Sequence, residues 1–159
     1  MRDHMIRISN APDDMTLVND AYDWFTGEYE IYRKLIDRDN LRGRKILDVS
    51  VDIPGLSEHV YAQWAELKAI VDILEIRVIA ATQKARKFYT EGYAKSLGVQ
   101  QVERYADADP GVLALVELVV HIKLVLNKWE GLSKGIERLH HQLRTVAEMR
   151  RADLEEATI

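Results

Sequence analysis

The chain has 159 residues, 47% apolar and 30% charged, enough for one domain with a sizeable core and a well-solvated surface. It has no cysteine, which excludes disulfides, thiolate chemistry and sulfur-ligated zinc and agrees with a reducing compartment. Net charge is −4 but uneven: residues 77–104 carry six basic and two acidic side chains, residues 131–151 five and two, and the remainder is acidic.

Residues 1–12 have charges and no apolar run, so they do not read as a secretory signal. They end in Asn10-Ala11-Pro12 and predict an arm that is disordered or ordered only on contact. Asp13 or Asp14 caps a predicted helix to about Asp37, with apolar positions at Leu17, Val18, Ala21, Trp24, Phe25, Ile31, Leu35 and Ile36 and Gly27 inside it. The polar stretch from Arg38 to Lys45, with Gly43, predicts a loop. From Ile46 to Ile53 apolar and polar residues alternate, which predicts a short strand or extended segment stopped by Pro54-Gly55. Residues 1–45 therefore form an N-terminal arm and helix, and residues 46–159 a larger helical domain.

Ser57 caps a predicted long helix over about 57–92. Val60, Trp64, Leu67, Val71, Leu74, Val78, Ala81, Ala85 and Phe88 recur on it in a 4–3 rhythm. That spacing keeps one apolar stripe on one face and favours supercoiling against a partner. Ile70, Ile73, Ile76 and Ile79 widen the stripe beyond what a two-helix contact uses, which predicts a third helix or another subunit there. Gly92 and Gly98 loosen the chain, and residues 99–108 read as a connector or short helix. Asp109-Pro110 opens the last helix, over about 110–151, with Asp at the cap and Pro in the first turn. Its seam is Leu115, Leu118, Ile122, Val125, Trp129, Leu132, Ile136, Leu139, Leu143 and Val146. A helix of that length spans about 63 Å, which predicts an extended hairpin or a homo-oligomer. No uninterrupted apolar run reaches the length of a membrane span, so no membrane is expected.

The basic zone of the first long helix is the leading candidate site. Helical geometry places Arg77, Lys84 and Lys87 together on the outer side, flanked by Arg86, where a phosphate backbone can reach them. Screening confines such fields to roughly 8 Å at physiological salt, so this local charge outweighs the net −4 for a polyanion. Phe88, Tyr89 and Tyr93 lie beside it and are suited to stack on exposed bases. The plainer explanation is a solvated face whose cations offset the helix dipole. That explanation serves at least as well for the second zone, Lys134, Arg138, Arg144, Arg150 and Arg151. Trp64 and Trp129 fall on the seams and are assigned to the core. Glu137 with His140 forms one Glu-x-x-His pair, and Glu117 with His121 an i,i+4 pair. A di-iron bundle needs two Glu-x-x-His pairs and two further glutamates, so no metal or cofactor is expected. Nucleophile-elbow, phosphate-loop, dinucleotide and zincin motifs are all missing, and the protein is not expected to be an enzyme.

The segment Lys84-Ala85-Arg86-Lys87-Phe88-Tyr89-Thr90-Glu91-Gly92 resembles the phage recombination-mediator family typified by UvsY, in which a Lys-x-Arg step precedes an aromatic pair and a glycine at a helix end. Asp48-Val49-Ser50-Val51-Asp52 followed by Leu56, Gln63-Trp64, Val102-Glu103-Arg104-Tyr105 with Asp107 and Asp109, and the last helix with Lys128, Gly135-Ile136, Gln142-Leu143 and Arg150 resemble further parts of that family in order. The likeness covers about Ile46 to Arg151. It departs at Phe88, where two tyrosines are expected, and at Glu91, whose charge falls near the basic face. The resemblance implies an all-α, ring-forming homo-oligomer that binds single-stranded DNA and helps a RecA-like recombinase displace a single-strand-binding protein. It also implies the cytoplasm, of a host cell if the chain is phage-encoded. Lys84 and Arg86 match the family's DNA-contacting positions; Lys87 and Arg77 come from the face geometry. The rival readings are a coiled-coil structural or adaptor protein and, further off, a di-iron oxidoreductase bundle.

Overall fold

A computed structural model describes residues 3–11, 14–93 and 97–156. Two helices dominate it: α4, Ile46–Lys87, and α6, Pro110–Glu156, packed antiparallel as a long hairpin. Before them come α1, His4–Asn10, α2, Thr16–Leu35, and the one-turn α3, Arg38–Leu41. Between them lie a π-helical turn, Phe88–Gly92, and α5, Val99–Asp107.

The seams make the hairpin contact. Val60, Leu67, Val71, Leu74 and Ala85 are buried on α4, and Ile122, Val125, Trp129, Leu132 and Ile136 on α6. Fully burying one large apolar side chain contributes roughly 1.5–3 kcal/mol, so these ten positions dominate the stability of the pair. Phe88 departs from its predicted seam place and is 55% exposed. Its amide still bonds to the Lys84 carbonyl in α-helical register, and the π turn begins with it. α6 starts as its sequence dictates: Asp109 Oδ1 accepts from Gly111 N at 2.9 Å and Val112 N at 3.4 Å, ahead of a long apolar helix.

The predicted strand Ile46–Ile53 is instead the first two turns of α4. In a helix Val49 and Ile53, four apart, share one face, and both are buried; Leu47 and Val51, also four apart, are exposed. Period-2 alternation hides this pairing, because every fourth residue satisfies both periods. Pro54 and Gly55 lie inside the helix rather than ending it. A proline in a helix interior costs about 3 kcal/mol. Burial of Val49 and Ile53 in the core, Ile53 beside Ile136 of α6, offsets it at roughly 1.5–3 kcal/mol each. The predicted loop before α4 contains α3, and then Gly43 in the left-handed region at φ 82°, which lets the chain turn into α4.

The N-terminal segment supplies the third layer. Residues 4–10, predicted as an arm, form a helix tied at both ends to α4. Glu66 Oε1 accepts from the His4 and Met5 amides at 2.7 and 3.3 Å, and Arg77 Nη2 donates to the Ile8 carbonyl at 2.6 Å. Asp3 adds a cap on Ile6 N at 3.1 Å. Of the two cap candidates for α2, Asp13 lies outside the described residues. Asp14 stands one residue before the cap position, Met15, which makes no side-chain cap bond. Asp14 accepts from the Thr16 hydroxyl and amide at 2.5 and 3.0 Å, and these bonds hold its carboxyl below the usual range. Ile8, Val18, Ala21 and Phe25 then join Leu67, Ile70, Ile122 and Trp129 in one core. Ile70 is thus covered from within the chain, whereas Ile76 and Ile79 stay exposed.

Glu66→Ala should undock α1, since two helix-start amides lose their acceptor, at about 1–3 kcal/mol. Hydrogen exchange should speed up over residues 4–10 while the α4–α6 core keeps its protection. Unchanged exchange at those amides would contradict the tie.

Candidate nucleic-acid interface

The basic segment occupies the end of α4 where the hairpin turns. Small residues set up the local packing: Ala85 and Ala106 are buried together with Val112, which lets α4, α5 and α6 approach closely. Alternating with the buried Ala85, Lys84 and Lys87 project into solvent and Arg86 is half-buried. The Nε of Arg86 is buried and has no hydrogen-bond partner among the described residues. Lys84 stands on the wall of a cleft of about 410 Å³ lined also by Ala81, Ala85, Phe88, Asp109, Gly111, Val112 and Leu115.

Beyond the cations the π-helical turn carries aromatic rings. Such turns are rare and lie frequently at functional sites. Phe88 and Tyr89 meet edge to face at 5.2 Å, and Tyr89 meets Tyr93 and Tyr105 at 5.6 Å each. Tyr93 and Tyr105 are 6.0 Å apart. Phe88, Tyr93 and Tyr105 are all exposed, so three ring edges or faces remain open beside the basic groups. Tyr89 is the inward member. Its hydroxyl donates to Asp109 Oδ2 at 3.4 Å, which links the turn to the cap of α6. Partial burial pushes the Tyr89 phenol above its ordinary value, and the Asp109 carboxylate adds to the rise. Gly92 ends the turn; a Cβ there would stand 3.2 Å from the Phe88 ring.

Of the four predicted residues, Lys84, Arg86 and Lys87 stay together at this end. Arg77 does not join them, because it is half-buried and donates to the Ile8 carbonyl. Tyr105 and the Asp109–Tyr89 bond are not foreseen from the sequence. Only packing of α5 across the hairpin end brings them in. Glu91 is exposed within the π turn, beside the cations. From the middle of α6 toward its C-terminus, Lys134 pairs with Glu130 and Arg144 with Glu148 on the same helix, at 2.5 and 2.8 Å. Those cations are partly neutralised, and the Glu148 carboxylate raises the Arg144 value further. His140 and His141 are exposed and line a shallow cleft with Pro54 and Ile136; no cluster of three potential metal ligands occurs among the described residues.

No family model, curated protein or solved structure matches the chain. Its function is therefore read from the chemistry of this hairpin end and from the ordered motifs between Ile46 and Arg151.

Proposed function

We propose that the protein is a non-enzymatic, homo-oligomeric mediator that binds single-stranded DNA at the hairpin end and helps load a RecA-like recombinase onto DNA covered by single-strand-binding protein. The observation that carries the DNA part is the juxtaposition of Lys84, Arg86 and Lys87 with the exposed rings of Phe88, Tyr93 and Tyr105. Cations track phosphates and rings stack on bases, and single strands offer both at once. Duplex DNA keeps its bases stacked and offers only phosphates. A helical adaptor that binds proteins alone would use the same seams but has no need of open rings beside exposed lysines.

Few cations per subunit give weak binding. Copies arranged in a ring sum them through effective concentration, which is why the reading includes self-association. The recombinase and single-strand-binding protein enter through the family resemblance. A dynamic exchange suits them: weak, salt-sensitive contacts from many subunits hold a strand yet release it piecemeal.

Anisotropy of a fluorescent oligonucleotide, titrated at rising salt, tests the reading. If three cations per engaged subunit contact phosphates, log K should fall against log salt with a slope near −2 per subunit, at about −0.7 per contact. Binding that ignores salt, or equal affinity for duplex, would overturn it.

A further inference from the structure

The hairpin leaves one long face bare. On α4, a step from Arg77, which meets α1, to Ile76 turns about 100° around the helix, and two steps to Ile79 turn about 160°. Both isoleucines point away from the N-terminal layer, 66% and 62% exposed. On α6, Val120 lies about 180° from Trp129, the residue that meets α2. Leu113, Val116, Val120 and Leu124, spaced 3–4–4, form one stripe there, and Val120 and Leu124 are 51% and 56% exposed. The Lys123–Glu75 ion pair, at 2.5 Å, bridges the two helices on this side and marks their register. In an antiparallel pair that register brings Ile79 level with Val120. The six side chains thus form two aliphatic stripes on the side opposite α1 and α2, one on each helix, with the Glu75–Lys123 pair between them.

Composition agrees. The most apolar 18-residue window of α6 has a mean hydropathy of 1.7, yet only 22% of it is buried. The six side chains expose roughly 600 Å², the upper end of what a monomer leaves uncovered. A standard interface takes about 800 Å² from each partner, so this face supplies most of what one contact needs.

We infer that this face is covered by a second copy of the chain, and that Ile76, Ile79, Val116, Val120 and Leu124 are the contact through which subunits associate. Stripes at 3–4 spacing are built to interlock with another helix face. By length and composition the same helix is apolar enough to cross a membrane. An anionic lipid surface fits this face less well, because Glu75 and Glu117 flank it and Lys123 is already paired. Association here also leaves Lys84, Lys87 and the rings at the hairpin end open. The inference rests on the self-association in the proposed function, not on its DNA contact.

The test is mass in solution without DNA, by light scattering over a range of concentrations. The wild type should weigh a multiple of 18.3 kDa at micromolar concentration, and Val120→Glu with Leu124→Glu should weigh 18.3 kDa with its helical circular dichroism intact. Ile79→Glu on the other helix should act the same way, and Ile31→Glu, an exposed residue of α2, should leave the mass unchanged. A wild type that is monomeric throughout, or glutamate variants that keep the assembled mass, would overturn the inference. So would wild-type protein that partitions onto phosphatidylcholine vesicles through Val120 and Leu124. A monomeric variant that still binds oligonucleotide weakly and salt-dependently leaves both proposals standing. Wild-type protein that assembles while its glutamate variants do not, but that ignores DNA, removes the mediator reading alone.

Discussion

Lys84→Ala with Arg86→Ala should weaken binding to a single-stranded oligonucleotide by about 25-fold per engaged subunit at 0.1 M salt. The figure comes from counterion release. Each phosphate contact contributes about 0.7 log units per tenfold change in salt, so two contacts contribute about 1.4. The salt slope should flatten by the same 1.4. Two further properties make the result specific. Lys84 is exposed, and the half-buried Arg86 holds its Nε without a hydrogen-bond partner among the described residues, so truncating the pair removes charge and breaks no bond at that nitrogen. Circular dichroism and assembled mass should therefore stay as in the wild type. Arg77→Ala offers the contrast. Arg77 ties α1 through the Ile8 carbonyl, so its loss should free α1 while the salt slope stays unchanged. A double variant that binds as tightly as wild type at every salt concentration would remove the basic end of α4 from the mechanism.

Trp129→Ala should have the largest effect on stability. Trp129 is fully buried at the centre of three layers, with Tyr29 and Tyr32 each 6.1 Å away between ring centres. Its Nε1 donates to the Phe25 carbonyl at 3.1 Å, a bond between residues 104 apart in sequence. Truncation leaves a cavity, at about 3–5 kcal/mol, and deprives a buried carbonyl of its donor, at about 1–3 kcal/mol. Typical domains have only about 5–15 kcal/mol in total. Trp129→Phe keeps most of the ring and loses the bond, so its cost should be well under half. Denaturant titration measures both. Near-neutral behaviour of the alanine variant would mean that α2 does not rest on the hairpin.

The seams were legible because burial on a long helix is a one-face problem and the 3–4 spacing states it directly. Ile46–Ile53 is the exception, a helix whose pattern also fits a strand. There the period of a strand puts Leu47, Val49, Val51 and Ile53 on one face, the four-residue step of a helix buries only Val49 and Ile53, and Pro54-Gly55 resembles a stop. The choice is made by the core, which buries Val49 and Ile53 and sets Ile53 beside Ile136 of α6. Likewise α1 is short and polar, and isolated helices of that length are marginal. It forms where Glu66 and Arg77 hold it, more than sixty residues away. The cations of the candidate site are contiguous in sequence and could be found there. Tyr105 and the Tyr89–Asp109 bond depend on how α5 folds across the turn, which no local pattern announces. Arg77 was misplaced for the opposite reason: a charge on the right face was already in use.

The claim that the hairpin end is where the strand lies is tested most directly by photocrosslinking. Bromodeoxyuridine-substituted oligonucleotide, irradiated on the full protein and mapped by mass spectrometry, should yield adducts on Phe88, Tyr93 or Tyr105, the three exposed rings beside Lys84 and Arg86. Adducts confined to the distant end of α6, around Arg144 to Arg151, with none on those rings, would contradict it.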